Sequence, residues 1–128
     1  MVIAGLVLAG VAALVHVFIF YLESLVWTGS RARSVFGTTE DEAAATKSLA
    51  FNQGFYNLFL ALAVALGIVL YAAGTRAAGA ALVFMGAGSM AAAALVLLLS
   101  SPQKASAALK QGVLPALSVL ALAFGLLF

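Results

Sequence analysis

The chain contains no cysteine, one histidine, two prolines and very little charge. Without cysteine there is no disulfide, no thiolate metal ligand and no sulfur nucleophile, so the redox compartment cannot be read from it. A lone His16 and four acidic residues, three of them in the run Glu40-Asp41-Glu42, argue against a zinc or di-iron site built by one copy. Ionisable residues make up only 8% of the chain, against the ~25% of an ordinary soluble domain. The six basic residues are scattered over three loops, so the net charge of +2 describes no face for nucleic acid.

What the chain has instead is long apolar runs, at Val2–Trp27, Ser48–Tyr71, Ala77–Ser100 and Val113–Phe128. A helix needs about 20 apolar residues to cross ~30 Å of hydrocarbon, and there its backbone polar groups must be satisfied within the segment. The pattern predicts an all-α polytopic membrane protein, a four-helix antiparallel transmembrane bundle forming one domain over residues 1–128. The expected spans are about 2–27, 48–71, 77–100 and 110–128. The last run alone measures only ~24 Å, so helix four is expected to recruit residues from about Ala107, with Lys110 snorkelling and Pro115 bending it. The N-terminus lacks a basic leader region, so the first run is expected to remain as a span.

Orientation follows from the loops. Arg31, Arg33, Lys47, Lys104 and Lys110 lie on one side and only Arg76 on the other. This bias places loops one and three in the cytoplasm and both termini outside a cell (inner or plasma) membrane.

Local signals sharpen the outline. Thr39 and Glu42 fit a capping box, so the second helix is expected to start near Glu40, in water, after a loop Thr28–Thr39 that turns at Gly37. Ser101-Pro102 resembles a cap followed by proline in the first helical turn. Pro102–Lys110 then forms either a short interfacial helix or the start of span four. Small-residue faces at Gly5–Ala12 and Gly86–Ala94 suit close helix packing and assembly into a homo-oligomer. Tyr21 and Trp27 take the place of interfacial belt residues.

The candidate chemistry lies in the first two spans. At 100° per residue, Gly5, Ala9, Ala12, His16, Phe20, Glu23 and Trp27 share one stripe, which should face the bundle. An intramembrane histidine is costly and needs a partner; it serves as interhelical glue, as a base or proton carrier, or as a ligand shared with a second copy. Glu23 lies ~10 Å along the axis from His16, too far for a direct hydrogen bond. It either pairs with a loop cation or faces a site. Asn52, Gln53, Tyr56 and Asn57 form an unusually polar entry to span two at the depth of Glu23. One or two amides would serve as glue, whereas this cluster, with Gln111 from helix four, points to a polar cavity open to the cytoplasm. His16 and Glu23 are the candidate acid–base residues, and Asn52, Gln53, Tyr56, Asn57 and Gln111 the candidate substrate contacts.

The strings His16…Phe20-Tyr21-Leu22-Glu23…Trp27-Thr28, Val35-Phe36-Gly37, Phe51-Asn52-Gln53-Gly54-Phe55-Tyr56-Asn57 and Gln111-Gly112…Pro115-Ala116 carry a family resemblance. They are similar to the small bacterial and fungal membrane proteins known as domain of unknown function 1304, over essentially the whole chain. The resemblance implies a four-span integral membrane protein and supplies no activity.

Three functions fit these residues. The first is binding or transport of a small, partly apolar solute in the cytoplasm-facing cavity. Small multidrug transporters resemble it in span number, length and a first-helix glutamate, but their antiparallel dimers need balanced loop charges. The second is a membrane enzyme acting on a lipophilic substrate, with Glu23 and His16 as acid and base. The membrane-associated eicosanoid and glutathione metabolism proteins share that layout, although their Arg-x-x-Asn-x-x-Glu string is absent. The third is a structural or accessory subunit. Whether the chain is an enzyme stays open, and the sequence names no cofactor; the expected partners are the lipid bilayer, a small-molecule ligand and further copies of the chain.

Overall fold

The computed structural model describes all residues, Met1–Phe128, and contains only helices and short connections. Helix α1 spans Val2–Phe20 and continues into a wide π-helical turn, Tyr21–Leu25. A short α2 follows at Ser30–Phe36, then α3 at Glu40–Ala72 and α4 at Arg76–Ser100. One 3₁₀ turn, Pro102–Lys104, leads into α5, Ala105–Leu127. Four segments, Val2–Leu25, Glu40–Ala72, Arg76–Ser100 and Pro102–Leu127, are long and apolar enough to cross a membrane.

Local chemistry sets the helix ends. The Thr39 hydroxyl accepts from the Glu42 backbone N–H at 3.1 Å, and the Glu42 carboxylate accepts from the Thr39 N–H at 3.0 Å. Two otherwise orphaned donors are thereby satisfied, beside the acids that a helix N-terminus favours. Helix α2 ends at Gly37, whose φ of 67° lies in the left-handed region that glycine enters without strain. After the single turn at Pro102, the chain runs directly into span four, so no separate interfacial helix forms.

The four long helices pack as a ring in the order α1, α3, α4, α5. Small side chains let the backbones close up, as expected where packing rather than hydrophobicity drives association. A methyl on Gly5 would lie 2.7 Å from the Leu122 backbone nitrogen, which leaves no room for any side chain there. Beside it, buried Ser118 of α5 donates to the Gly5 carbonyl at 2.9 Å. Ala9, Ala12, Ala13, Ala61, Val64, Val83, Ala87, Met90 and Leu122 form the main core. Both small-residue stripes expected to carry an oligomer are therefore used within the chain: Gly5, Ala9 and Ala12 are buried in one, and Gly86, Ala87 and Ala94 in the other.

The end of the bundle that carries α2 is built differently. There α2 lays Ala32 and Phe36 against Ile19 and Leu22 of the first span and Ala107 of α5, forming a second, smaller core. This charged end, with its inserted loop helix, is where the candidate residues collect.

Candidate functional site

Glu23 sits in the π-helical turn, only 5% exposed. Two contacts with α3 hold that turn. Ser24 Oγ donates to the Phe51 carbonyl at 2.8 Å, and Gly54 lets the turn approach so closely that an added Cβ would lie 3.1 Å from Glu23 Cβ. The wide turn closes the first helix at its C-terminal end, where such turns are common, and it sets the direction of the side chains it carries. The result is that Glu23 Oε2 accepts from Asn57 Nδ2 at 2.7 Å. The same Asn57 amide donates to the Gln53 carbonyl one turn earlier, at 3.2 Å.

Glu23 forms part of the wall of a cavity of about 340 Å³ at the charged end. Gln53 and Gln111 line the same space, together with Trp27, Phe36, Leu49, Ala50, Leu97 and Ala107. Thr38, Glu42, Thr46 and Lys104 complete the lining. Glu42, Leu49 and Gln53 stay exposed, so the cavity is open rather than sealed. Its size falls at the lower end of the roughly 300–1,000 Å³ typical of small-molecule pockets, with the usual mix of apolar walls and few polar groups.

Most charged lining groups are already engaged. The Glu42 carboxylate caps α3, and Lys104 Nζ donates to the Phe36 carbonyl at 3.3 Å, at the negative end of α2. The chain's ion pair, Arg33–Glu40 at 3.5 Å, lies at the surface with Glu40 well exposed, where such pairs contribute little. Glu23 thus has an amide donor and no cation. The Thr38 hydroxyl is shielded from solvent yet has no hydrogen-bond partner, although it lines the cavity. Buried polar atoms are rarely left this way without a reason.

The candidates separate into three groups. Glu23, Gln53 and Gln111 share the cavity, and Asn57 braces Glu23. Asn52 and Tyr56 lie on the outer face of α3, Tyr56 being 67% exposed, so the polar cluster is narrower than the sequence suggested. His16 is 1% exposed, its Nδ1 donating to the Ala12 carbonyl at 2.9 Å, and it does not line the cavity. His16 and Glu23 thus lie in different surroundings, the one in the packed core and the other at the cavity wall.

Trp27, expected as an interfacial belt residue, also lines the cavity, its ring 5.2 Å from that of Phe36. Its Nε1 donates to Thr46 Oγ1 at 3.1 Å, and Thr46 in turn donates to the Glu42 carbonyl at 2.7 Å. Sequence reasoning missed Thr38 and Lys104 as wall residues, since nothing in the spacing places a loop threonine or the α4–α5 turn beside Trp27. No group of three His, Asp or Glu side chains comes together to hold a metal ion.

Four apolar helices in a ring, each long enough to span a bilayer, define a polytopic α-helical membrane protein. The chain belongs to the family described as protein of unknown function (DUF1304), whose model matches residues 10–123. No curated protein and no solved structure matches it.

Proposed function

We propose that this protein binds a small, partly apolar solute in the cavity at its charged end, with Glu23 meeting the solute's polar part. The observation that carries this reading is a buried carboxyl with no cation, braced by one amide, beside a void with apolar walls. A carboxyl serving only to hold helices together would be packed against its partners on every side. An ionisable group inside a membrane segment marks a functional site by default. Gln53, Gln111 and the unpartnered Thr38 hydroxyl add hydrogen-bonding capacity, while Leu49, Leu97 and Trp27 accept apolar surface. The excess of basic residues in the loops supports a cytoplasmic position for this end. Catalysis by a Glu23–His16 pair draws no support from a histidine buried away from the cavity.

The absence of cysteine makes the test direct. Single substitutions Gln53→Cys and Gln111→Cys are expected to react with a small water-soluble thiol reagent in the folded protein, whereas Ala87→Cys, in the core, is inert. Equal inertness at all three positions overturns the reading, because the cavity would then be closed to water and solutes.

A further inference from the structure

A second void lies beside the first. It occupies about 210 Å³ between α1 and α5, with Val35 and Phe36 of α2 at one side, and every wall except Lys110 and Gln111 is apolar. Val15, Phe18, Ile19 and Leu22 give it a side made from the body of the first span, at hydrocarbon depth. Its other end carries Lys110 and Gln111, close to the membrane surface by their place in the first turns of α5. Phe36, Ala107 and Gln111 line both voids, so the groove and the cavity of Glu23 adjoin at these three residues. From groove to cavity the lining passes from almost wholly apolar to mixed apolar and polar, in the same order as a chain and head group within one leaflet.

Charge restricts the head group. An anionic head in the cavity meets Glu23 and Glu42. A cationic head meets Lys104 in the same wall and Lys110 at the groove. Either charge thus meets a like charge beside an opposite one, whereas a neutral head takes its contacts from hydrogen bonding alone. Glu23 has one carboxyl oxygen without a protein donor, and the Thr38 hydroxyl and the Gln53 and Gln111 side chains make no hydrogen bond within the chain, so the cavity presents acceptors together with amide donors. Hydroxyl groups, which donate and accept, match that set.

We propose that the ligand is a single-chain amphiphile with an uncharged hydroxyl head, its head in the Glu23 cavity and its chain laid in the α1–α5 groove across the Phe36–Gln111 partition. This rests on the cavity being a binding site, and it goes further by naming the ligand class and a second subsite. Trp27 is the only tryptophan and lines the cavity, so it reports occupancy. The probe is a long-chain monoacylglycerol brominated near its ester, added to the full chain in detergent micelles, since bromine quenches indole fluorescence on contact. Saturable quenching is expected, about tenfold or more tighter than with the matching fatty acid or alkylamine, and tighter than with a short-chain ester. Filling the groove with Val15→Phe, at a half-buried position, is expected to remove the chain-length advantage and leave the short ester's affinity unchanged.

A charged probe binding as tightly as the neutral one overturns the head-group assignment. Long and short esters binding alike in the native protein overturn the groove subsite. Absence of saturable quenching by any probe overturns the whole proposal, while the thiol reactivity of Gln53→Cys and Gln111→Cys, set against Ala87→Cys, decides separately whether the cavity reading survives.

Discussion

Replacing Gly54 with alanine puts a methyl group into the tightest contact between α3 and the π-helical turn. Its Cβ would collide with Ser24 Oγ, and it would sit 3.0 Å from the Ser24 backbone nitrogen and 3.1 Å from Glu23 Cβ. The serine hydroxyl can rotate away, at the loss of its bond to the Phe51 carbonyl, but the other two atoms move only with the turn itself. Overpacking of this kind costs about 2–3 kcal/mol at backbone contacts. The gain in helix propensity from glycine to alanine offsets about 1 kcal/mol. The net expectation is a loss of about 1–2 kcal/mol, together with displacement of Glu23 from its 2.7 Å bond to Asn57. Gly88→Ala is the internal control, because nothing lies within 4 Å of a Cβ there. It should be neutral or slightly stabilising. Unfolding in a denaturing detergent, followed by Trp27 emission, compares the two. The double change Ser24→Ala with Gly54→Ala should recover part of the loss, since it removes one of the three clashing atoms while forfeiting one hydrogen bond. Equal stability of Gly54→Ala and Gly88→Ala would refute the reasoning, because the turn would then not be wedged against α3.

His16→Leu removes the bond to the Ala12 carbonyl in the core and should alter stability while leaving probe binding at Trp27 unchanged, as His16 does not line the cavity; a tenfold loss of probe binding in the folded variant would restore His16 to the site. Ser118→Ala deletes an α5–α1 hydrogen bond whose acceptor keeps its place in the α1 ladder, so the expected loss in detergent unfolding is only ~0.6 kcal/mol. For sidedness, a membrane-impermeant thiol reagent applied to intact cells should label Thr75→Cys, in the exposed α3–α4 turn, and spare Gln103→Cys until the cells are opened; the reverse pattern inverts the assigned orientation.

The bundle was legible because span length and apolarity are local properties, and so was the start of α3, where Thr39 and Glu42 sit within one turn of each other. The loop helix α2 was not. Seven residues are too short to be stable by propensity alone, and Ser30–Phe36 is held by packing Ala32 and Phe36 against Ile19, Leu22 and Ala107. The polar entry of α3 was half legible. Asn52 and Tyr56 share one azimuth, Gln53 and Asn57 another about 100° away, and a helix pointing one pair into a cavity turns the other outward. Sequence gives the two azimuths; only the docking of Gly54 on Ser24 decides which pair faces in.

His16 and Glu23 carry the sharper lesson, for the helical wheel placed them on one face and both are indeed buried. Their surroundings differ because the ring is not equally closed along its length. Toward the chain termini, α1 and α5 meet at Gly5, Ser118 and Leu122, residues more than a hundred positions apart, so that interface is invisible to any local pattern. At the charged end α2 inserts beside them, and the voids left around it run past Glu23 on one side and Ile19 on the other. A polar residue on an inward stripe thus becomes glue or a site according to whether its neighbours converge at its own height. In this chain that height is set by where small residues let the helices touch, which makes Gly5 and Gly54 as much a part of the site's design as Glu23 itself.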